Sequence, residues 1–135
     1  LRYLAGSPIS SFEAVSFGKV PGLPVGEDKA SIILRFGDGS MATIHYLANG
    51  HKSFPKERLE VFEGGRILQL DNYRKLKGFG WRNFNKMNLC RENKGQSACV
   101  NAFVRAVTQQ RPLPIPFDEL MEVSRTAIQI AEALR

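Results

Sequence analysis

Few groups in this sequence of 135 residues can do acid–base, nucleophilic or metal chemistry: two histidines, two cysteines and 13 carboxylates. His51 stands in the polar segment Asn49-Gly50-His51-Lys52 at the end of an expected strand, and polar loop residues on a rigid sheet are where binding groups commonly sit. His45 falls in mid-strand, where a satisfied structural histidine is the better reading. The spacing of Cys90 and Cys99 matches no zinc or redox motif, and two histidines supply too few further ligands for a structural metal site. Two buried free thiols in a cytoplasmic protein are the expectation. The carboxylates are scattered, Glu57 with Glu60 and Asp118 with Glu119 and Glu122. Glu119 and Glu122 share a helical face close to the helix start, where capping accounts for them better than acid–base work.

Larger catalytic patterns are missing as well. The sequence holds no Gly-x-Gly-x-x-Gly after a strand, no phosphate-loop motif, no Gly-x-Ser-x-Gly elbow and no His-Glu-x-x-His. Gly78-Phe79-Gly80 is an isolated pair of glycines. On its residues alone the chain reads as a sheet-plus-helices module without catalytic apparatus of its own.

The net charge of +6 raises the question of an anionic partner. Arg74, Lys75, Lys77, Arg82, Lys86, Arg91 and Lys94 are interleaved with Tyr73, Phe79, Trp81 and Phe84, a mixture that can form a platform for single-stranded nucleic acid. A solvated sheet edge, where lysines discourage edge-to-edge pairing, explains the same residues and is preferred. Phosphates of a small substrate would use these charges equally well. No apolar run approaches the ~20 residues of a membrane-spanning helix, and no signal-peptide pattern opens the chain. The sequence opens at Leu1 rather than Met and reads as a fragment, a processed product or a trimmed piece.

Four central strands are expected at Lys29–Phe36, Ser40–Ala48, Arg58–Glu63 and Arg66–Asp71, with turns at Gly37-Asp38-Gly39, Asn49-Gly50 and Gly64-Gly65. A two-residue Asp-Gly turn would put the apolar sets of the first two strands on opposite faces. A three-residue loop with Gly39 left-handed puts Ile32, Leu34, Phe36, Ala42, Ile44 and Tyr46 on one face, and is preferred. Before these strands come the last turn of a helix at Leu1–Ala5, stopped by Gly6, a first strand at Ile9–Phe17 and a loop at Gly18–Glu27. After them, Tyr73–Gly80 alternates weakly and Trp81–Leu89 is a candidate edge strand. A helix is expected at Gln96–Gln109, with Cys99, Ala102, Phe103, Ala106 and Val107 inward. The proline-rich Arg111–Pro116 connector leads to a second helix at Phe117–Leu134, striped by Leu120, Val123, Ala127, Ile130, Ala131 and Leu134.

Strands first and helices afterwards predict an α+β domain spanning residues 1–135: one largely antiparallel open β-sheet with helices packed on one face. The opposite face sets Ile33, Met41 and Leu47 beside Arg35, Thr43 and His45. That mixture suits a partner surface, and equally a half-solvated sheet face.

In order and spacing the segments resemble the C-terminal domain of the glucose–fructose oxidoreductase / inositol dehydrogenase / MocA (Gfo/Idh/MocA) family of NAD(P)-dependent oxidoreductases. The resemblance rests on four stretches: 1–9, Leu34–Ser40 with Ala42-Thr43-Ile44, Lys56–Phe62, and the close from Ala102-Phe103-Val104 through Pro114–Phe117 to Ala133-Leu134-Arg135. It implies an open-sheet domain that follows a nucleotide-binding Rossmann domain absent from this sequence. The family's Glu-Lys-Pro motif, with its lysine, does not occur here, so the resemblance carries over no catalytic, cofactor-binding or metal-binding residue.

The resemblance does imply substrate contacts. In relatives the loop matching Asn49–Pro55 approaches the substrate, which makes Asn49, His51 and Lys52 candidates. Lys94 and Gln96 open the first long helix, where similar proteins often carry a polar residue or histidine. The function implied is the substrate-side and oligomerisation domain of an NAD(P)-dependent oxidoreductase acting on a sugar, nucleotide-sugar or related polyol. NAD or NADP would be bound by the missing N-terminal domain, and the free sheet face would build a cytoplasmic homo-oligomer. The piece by itself is expected to bind no cofactor and turn over nothing. A stand-alone binding or scaffold module is the competing reading.

Overall fold

The computed structural model describes residues 1–18 and 28–135. The loop expected at Gly18–Glu27 lies, beyond Gly18, outside the described residues. The chain divides into two compact units, Leu1–Gly50 with Gln110–Arg135, and His51–Gln109.

The first unit contains helix α1 (Arg2–Ala5), strands β1 (Ile9–Ser16), β2 (Lys29–Phe36) and β3 (Met41–Leu47), and helix α3 (Phe117–Ala133). The strands form an antiparallel sheet in the order β1-β2-β3. Its register is the one the three-residue loop requires. Phe36 N donates to Ser40 O at 2.9 Å, Gly39 N donates to Phe36 O at 3.0 Å, and Gly39 sits at φ +86°. The Asp38 carboxylate accepts from Ser40 N at 3.0 Å and from Ser40 Oγ at 2.7 Å, which holds its pKa below the ordinary carboxylate value.

Ile32 therefore pairs with Ile44 and Leu34 with Ala42, while Phe12 and Ala14 of β1 lie opposite Leu34 and Ile32. Ala30, Ile32, Leu34 and Phe36 are buried, and Ala5, Ile9, Phe12, Ala14, Ala42, Ile44 and Ile130 pack around the last three. Full burial of each large side chain contributes about 1.5–3 kcal/mol. Tyr46, expected on this face, stays 57% exposed on edge strand β3, although Ala30 opposite it on central β2 is buried. On the opposite face Met41 is 61% exposed and Leu47 is exposed too, beside a Ser31 Oγ–His45 Nδ1 hydrogen bond of 3.0 Å and an Arg35–Glu13 ion pair of 3.1 Å.

Helix α3 packs on β1, turned away from the stripe read from the sequence. The half-buried positions are Glu119, Glu122, Thr126, Ile130 and Leu134, while Leu120 is 51% exposed and Val123 is also exposed. The carboxylates set this rotation. Glu122 Oε1 accepts from Ile9 N, Glu122 Oε2 accepts from Arg2 Nε at 3.2 Å, and Arg2 lies 3.5 Å from Glu119. Glu119 and Glu122 thus anchor α3 to α1 and β1 instead of capping it; the N-cap position is Pro116, with no side-chain cap bond.

The second unit contains strands β4 (Arg58–Glu63), β5 (Arg66–Asp71), β6 (Lys75–Phe79) and β7 (Lys86–Asn88), followed by helix α2 (Gln96–Thr108). The strands form a four-stranded antiparallel meander. Leu59, Leu70, Leu76 and Met87 line up across it, beside Val61, Leu68 and Gly78. The seven strands thus form two antiparallel sheets among the described residues, where the sequence suggested a single layer. Strand β7 keeps only the end of the expected Trp81–Leu89. The start of that stretch wraps back: Trp81 Nε1 donates to Ile67 O at 3.1 Å, and Phe84 lies so close over Gly78 that a Cβ there would meet its ring at 2.6 Å.

In α2, Ala106 is buried and Ala102 half-buried, but Cys99, Phe103 and Val107 are exposed. Cys90 is exposed as well, so the expectation of two buried thiols is corrected: Cys90 lies in the irregular segment after β7, and Cys99 lies in the first turn of α2, ahead of its buried Ala106. No described helix is long and apolar enough to cross a membrane.

The bonds from Ile9 N and Arg2 hold the Glu122 carboxyl below its ordinary pKa of 4.5, with its partial burial opposing them. A depressed carboxylate pKa stabilises the fold above the unfolded-state value, and that stabilisation is lost as pH falls through the folded-state value. Replacing Glu122 by Ala is expected to lower the unfolding free energy by about 1 kcal/mol at neutral pH, a charged hydrogen bond discounted for partial exposure. Denaturant titrations of both proteins should converge as pH drops below 4.5; a gap that persists in acid would contradict the anchoring role.

Candidate binding cleft

The second unit folds three irregular segments together: 51–57 ahead of β4, the β5–β6 turn at 72–74, and 89–95 ahead of α2. The β5–β6 turn is the pivot. Asn72 and Tyr73 are both left-handed, at φ 50° and 49°, which is unfavourable for residues other than glycine and least so for Asn and Asp. Neighbouring segments hold the turn in place. Asn72 N donates to Glu57 O at 2.7 Å, Asn93 N donates to Tyr73 O at 3.0 Å, and Asn72 Nδ2 donates to Glu92 Oε2 at 3.2 Å. The turn also explains why β6 starts at Lys75, later than the alternation from Tyr73 suggested.

Around the pivot lies an open cleft of about 360 Å³ walled by Lys52, Glu57, Asn72, Glu92 and Lys94, together with Ser53, Phe54, Pro55 and Lys56. Lys94 Nζ donates to Glu57 Oε1 at 2.6 Å. That bond raises the Lys94 pKa, burial opposing it and the Glu57 and Glu92 charges reinforcing it. Lys94 is therefore a fixed cation and donor at neutral pH, unsuited to act as a base. The second Glu57 oxygen is buried and accepts no hydrogen bond among the described residues. Donors from Lys52 and Lys94 together with the Glu92 carboxylate at one cleft suit a ligand rich in hydroxyls.

Of the residues singled out from the sequence, Lys52 and Lys94 meet in this cleft. Asn49 is exposed in the turn after β3. His51 opens the second unit, its Nδ1 2.9 Å from Ser53 Oγ, and its carbonyl accepts from Phe54 N at 2.9 Å. Gln96 is the exposed first residue of α2. Neither His51 nor Gln96 lies in the cleft walls. Sequence reasoning passed over Glu92 and Asn72, and it saw Glu57 only as one scattered carboxylate. The one available signal was Asp71-Asn72 at a strand end, a pair that tolerates left-handed backbone.

Every ladder among the described residues is antiparallel, and none of the described strands leads through a glycine-rich turn into a helix. The described residues therefore do not fit a dinucleotide of the kind held at a βαβ switch point. Among them no group of three or more His, Cys, Asp or Glu side chains could hold a metal ion.

Asn72→Ala is expected to destabilise the protein by about 1 kcal/mol through the left-handed backbone penalty and the lost Glu92 bond, while Asn72→Gly should recover most of that loss. Equilibrium unfolding checks this, and equal losses in both variants would show that backbone conformation is not what selects Asn there.

No family model matches the sequence, and none of the curated proteins matches it significantly. Solved structures do match in fold. UDP-N-acetylglucosamine 3-dehydrogenase GnnA from Acidithiobacillus ferrooxidans superposes with a TM-score of 0.78 at 19% identity, over 98% of this chain and 42% of its own. A second crystal form of that enzyme gives 0.76 at 18% identity. The aldose-aldose oxidoreductase from Caulobacter crescentus gives 0.68 at 18% identity, over 98% of this chain and 42% of its own. The chain thus spans well under half the length of these structures, and almost all of it shares the fold of part of two oxidoreductases, the kind of fold that the sequence resemblance implied.

Proposed function

We propose that this chain is the C-terminal, substrate-side and oligomerisation domain of an NAD(P)-dependent oxidoreductase of the Gfo/Idh/MocA type, acting on a sugar, nucleotide-sugar or related polyol. The supporting observation is the likeness over 98% of the chain to 42% of a UDP-N-acetylglucosamine 3-dehydrogenase. An aldose-aldose oxidoreductase of the same fold adds weight to a sugar-type substrate. In this reading the nicotinamide cofactor belongs to a Rossmann domain outside the present residues, which also supplies the groups that move the hydroxyl proton. The described residues bind and orient the substrate. Lys94 donates to a substrate hydroxyl from its fixed position on Glu57, and Lys52 and Asn72 flank it. Asn49, His51 and Gln96, which the family resemblance singles out, are further candidate substrate contacts outside the cleft walls. The exposed β1–β3 face bearing Ile33, Met41 and Leu47 joins copies of a cytoplasmic enzyme.

Two measurements test this. The intact protein should oxidise or reduce sugars with NAD(P), and Lys94→Ala should raise KM about tenfold while changing kcat by no more than about threefold, the pattern of lost ground-state binding. Residues 1–135 alone should show no NAD(P) binding by calorimetry. Nicotinamide binding to this piece, or a kcat collapse at unchanged KM in the Lys94 variant, would contradict the assignment.

A further inference from the structure

A second open cleft of about 300 Å³ adjoins the first across Phe54, Pro55 and Asn72, and its remaining walls are Arg58, Asp71, Arg74 and Lys75. Its charges do not balance. Asp71, the one carboxylate, is taken by Arg58 at 3.4 Å. Arg74 Nε donates to Leu89 O at 3.1 Å, which fixes the guanidinium while its two terminal nitrogens have no partner among the described residues. Lys75 lies opposite Asp71 in the strand register but makes no ion pair among the described residues. Two exposed cations, Arg74 anchored through its Nε and Lys75 beside it, therefore line one concavity, neither paired with a carboxylate among the described residues. A concave, partly walled site concentrates such a field, and a positioned guanidinium presents the paired donors that match phosphoryl oxygens. Phe54, 60% exposed, and Pro55 add an apolar flank.

The geometry points to a two-part ligand: a phosphoryl group seated on Arg74 and Lys75, and a hydroxyl-bearing ring in the adjoining Lys94–Glu57 cleft. This rests on the oxidoreductase reading for the sugar half and narrows it, since a neutral polyol would leave both cations unanswered. The phosphoryl group can come from a sugar monophosphate or from a nucleoside diphosphate sugar; both place anionic oxygens beside a hydroxyl-rich ring. Lys77 and Lys86, directly opposed on β6 and β7, are cations of the same sheet outside both clefts, and they separate a built seat from a diffuse positive surface.

Calorimetric titration of the protein with inorganic pyrophosphate, a hexose 1-phosphate, a nucleoside diphosphate hexose and the free hexose tests the seat. The phosphorylated probes should bind at least tenfold more tightly than the free hexose, and whichever of the two sugar probes binds more tightly identifies the source of the phosphoryl group. The double variant Arg74→Gln with Lys75→Gln should weaken every phosphorylated probe at least tenfold and leave the free hexose unchanged. Lys77→Gln with Lys86→Gln should stay within twofold of the parent. Because Arg74 also bonds Leu89, Lys75→Gln alone, with an unchanged melting temperature, serves as the second variant and should still weaken pyrophosphate several-fold. Equal losses from the Lys77/Lys86 pair would overturn the seat in favour of a general polyanion surface, as would a free hexose that binds as tightly as its phosphorylated forms. Nicotinamide turnover is read separately: NAD(P)-dependent oxidation of neutral sugars without pyrophosphate binding would sink the seat and keep the oxidoreductase reading, and pyrophosphate binding without turnover would do the reverse.

Discussion

Strand β2 can bury Ala30, Ile32, Leu34 and Phe36 on one side only if the hairpin after it holds an odd number of loop residues. Gly39, at φ +86°, makes that possible by closing the Gly37-Asp38-Gly39 loop onto Phe36 and Ser40. One residue fewer would turn Ala42 and Ile44 to the opposite face and leave β2 without the partners of its own cluster. The same loop is tied back to the start of the chain. Gly37 N donates to Pro8 O at 2.9 Å, and Asp38 N donates to the hydroxyl of buried Ser7 at 3.0 Å. A local backbone choice thereby fixes the sheet, and the sheet fixes where α1 and α3 attach.

Much of this was legible in the residues. The bounds of β2, β4 and β5 follow from alternation between strong turn signals, and those elements are found where expected. The hairpin register followed from requiring both apolar sets to share a face. Legibility failed where a charge did a job usually given to an apolar side chain. On α3 the apolar stripe predicted an inward Leu120 and Val123, yet Glu119 and Glu122 take the inward positions because Arg2 and Ile9 N need acceptors. No helical periodicity encodes an acceptor required by a residue more than a hundred positions away. Likewise, Tyr73 looked like the start of a strand and Asn72 drew no notice, because the sequence does not show that Glu57, Glu92 and Asn93 hold that turn left-handed.

The clefts were half visible for the same reason. Lys52 and Lys94 were singled out through the family resemblance, Lys52 in the loop after β3 and Lys94 at the start of the first long helix, but their meeting depends on three loops converging on one pivot. The carboxylates that tune the site come from different loops, and only the folded chain brings Glu57 within 2.6 Å of Lys94. The basic run from Arg74 to Lys94 was read as a solvated sheet edge. The structure divides it: Arg74 and Lys75 wall a concavity, Lys94 walls its neighbour, and Lys77 and Lys86 lie outside both. Position relative to the Asn72 turn, more than charge count, separates these groups.

The account stands on the clefts around Asn72 being the place where substrate rests. Hydrogen–deuterium exchange of the intact protein, with and without a saturating nucleoside diphosphate hexose, measures this directly. The expected result is slowed exchange at the backbone amides of Lys52–Arg58, Asn72–Lys75 and Glu92–Lys94, with the β1–β3 sheet unchanged. Protection confined to segments outside these three, under conditions where the ligand is shown to bind, would contradict it.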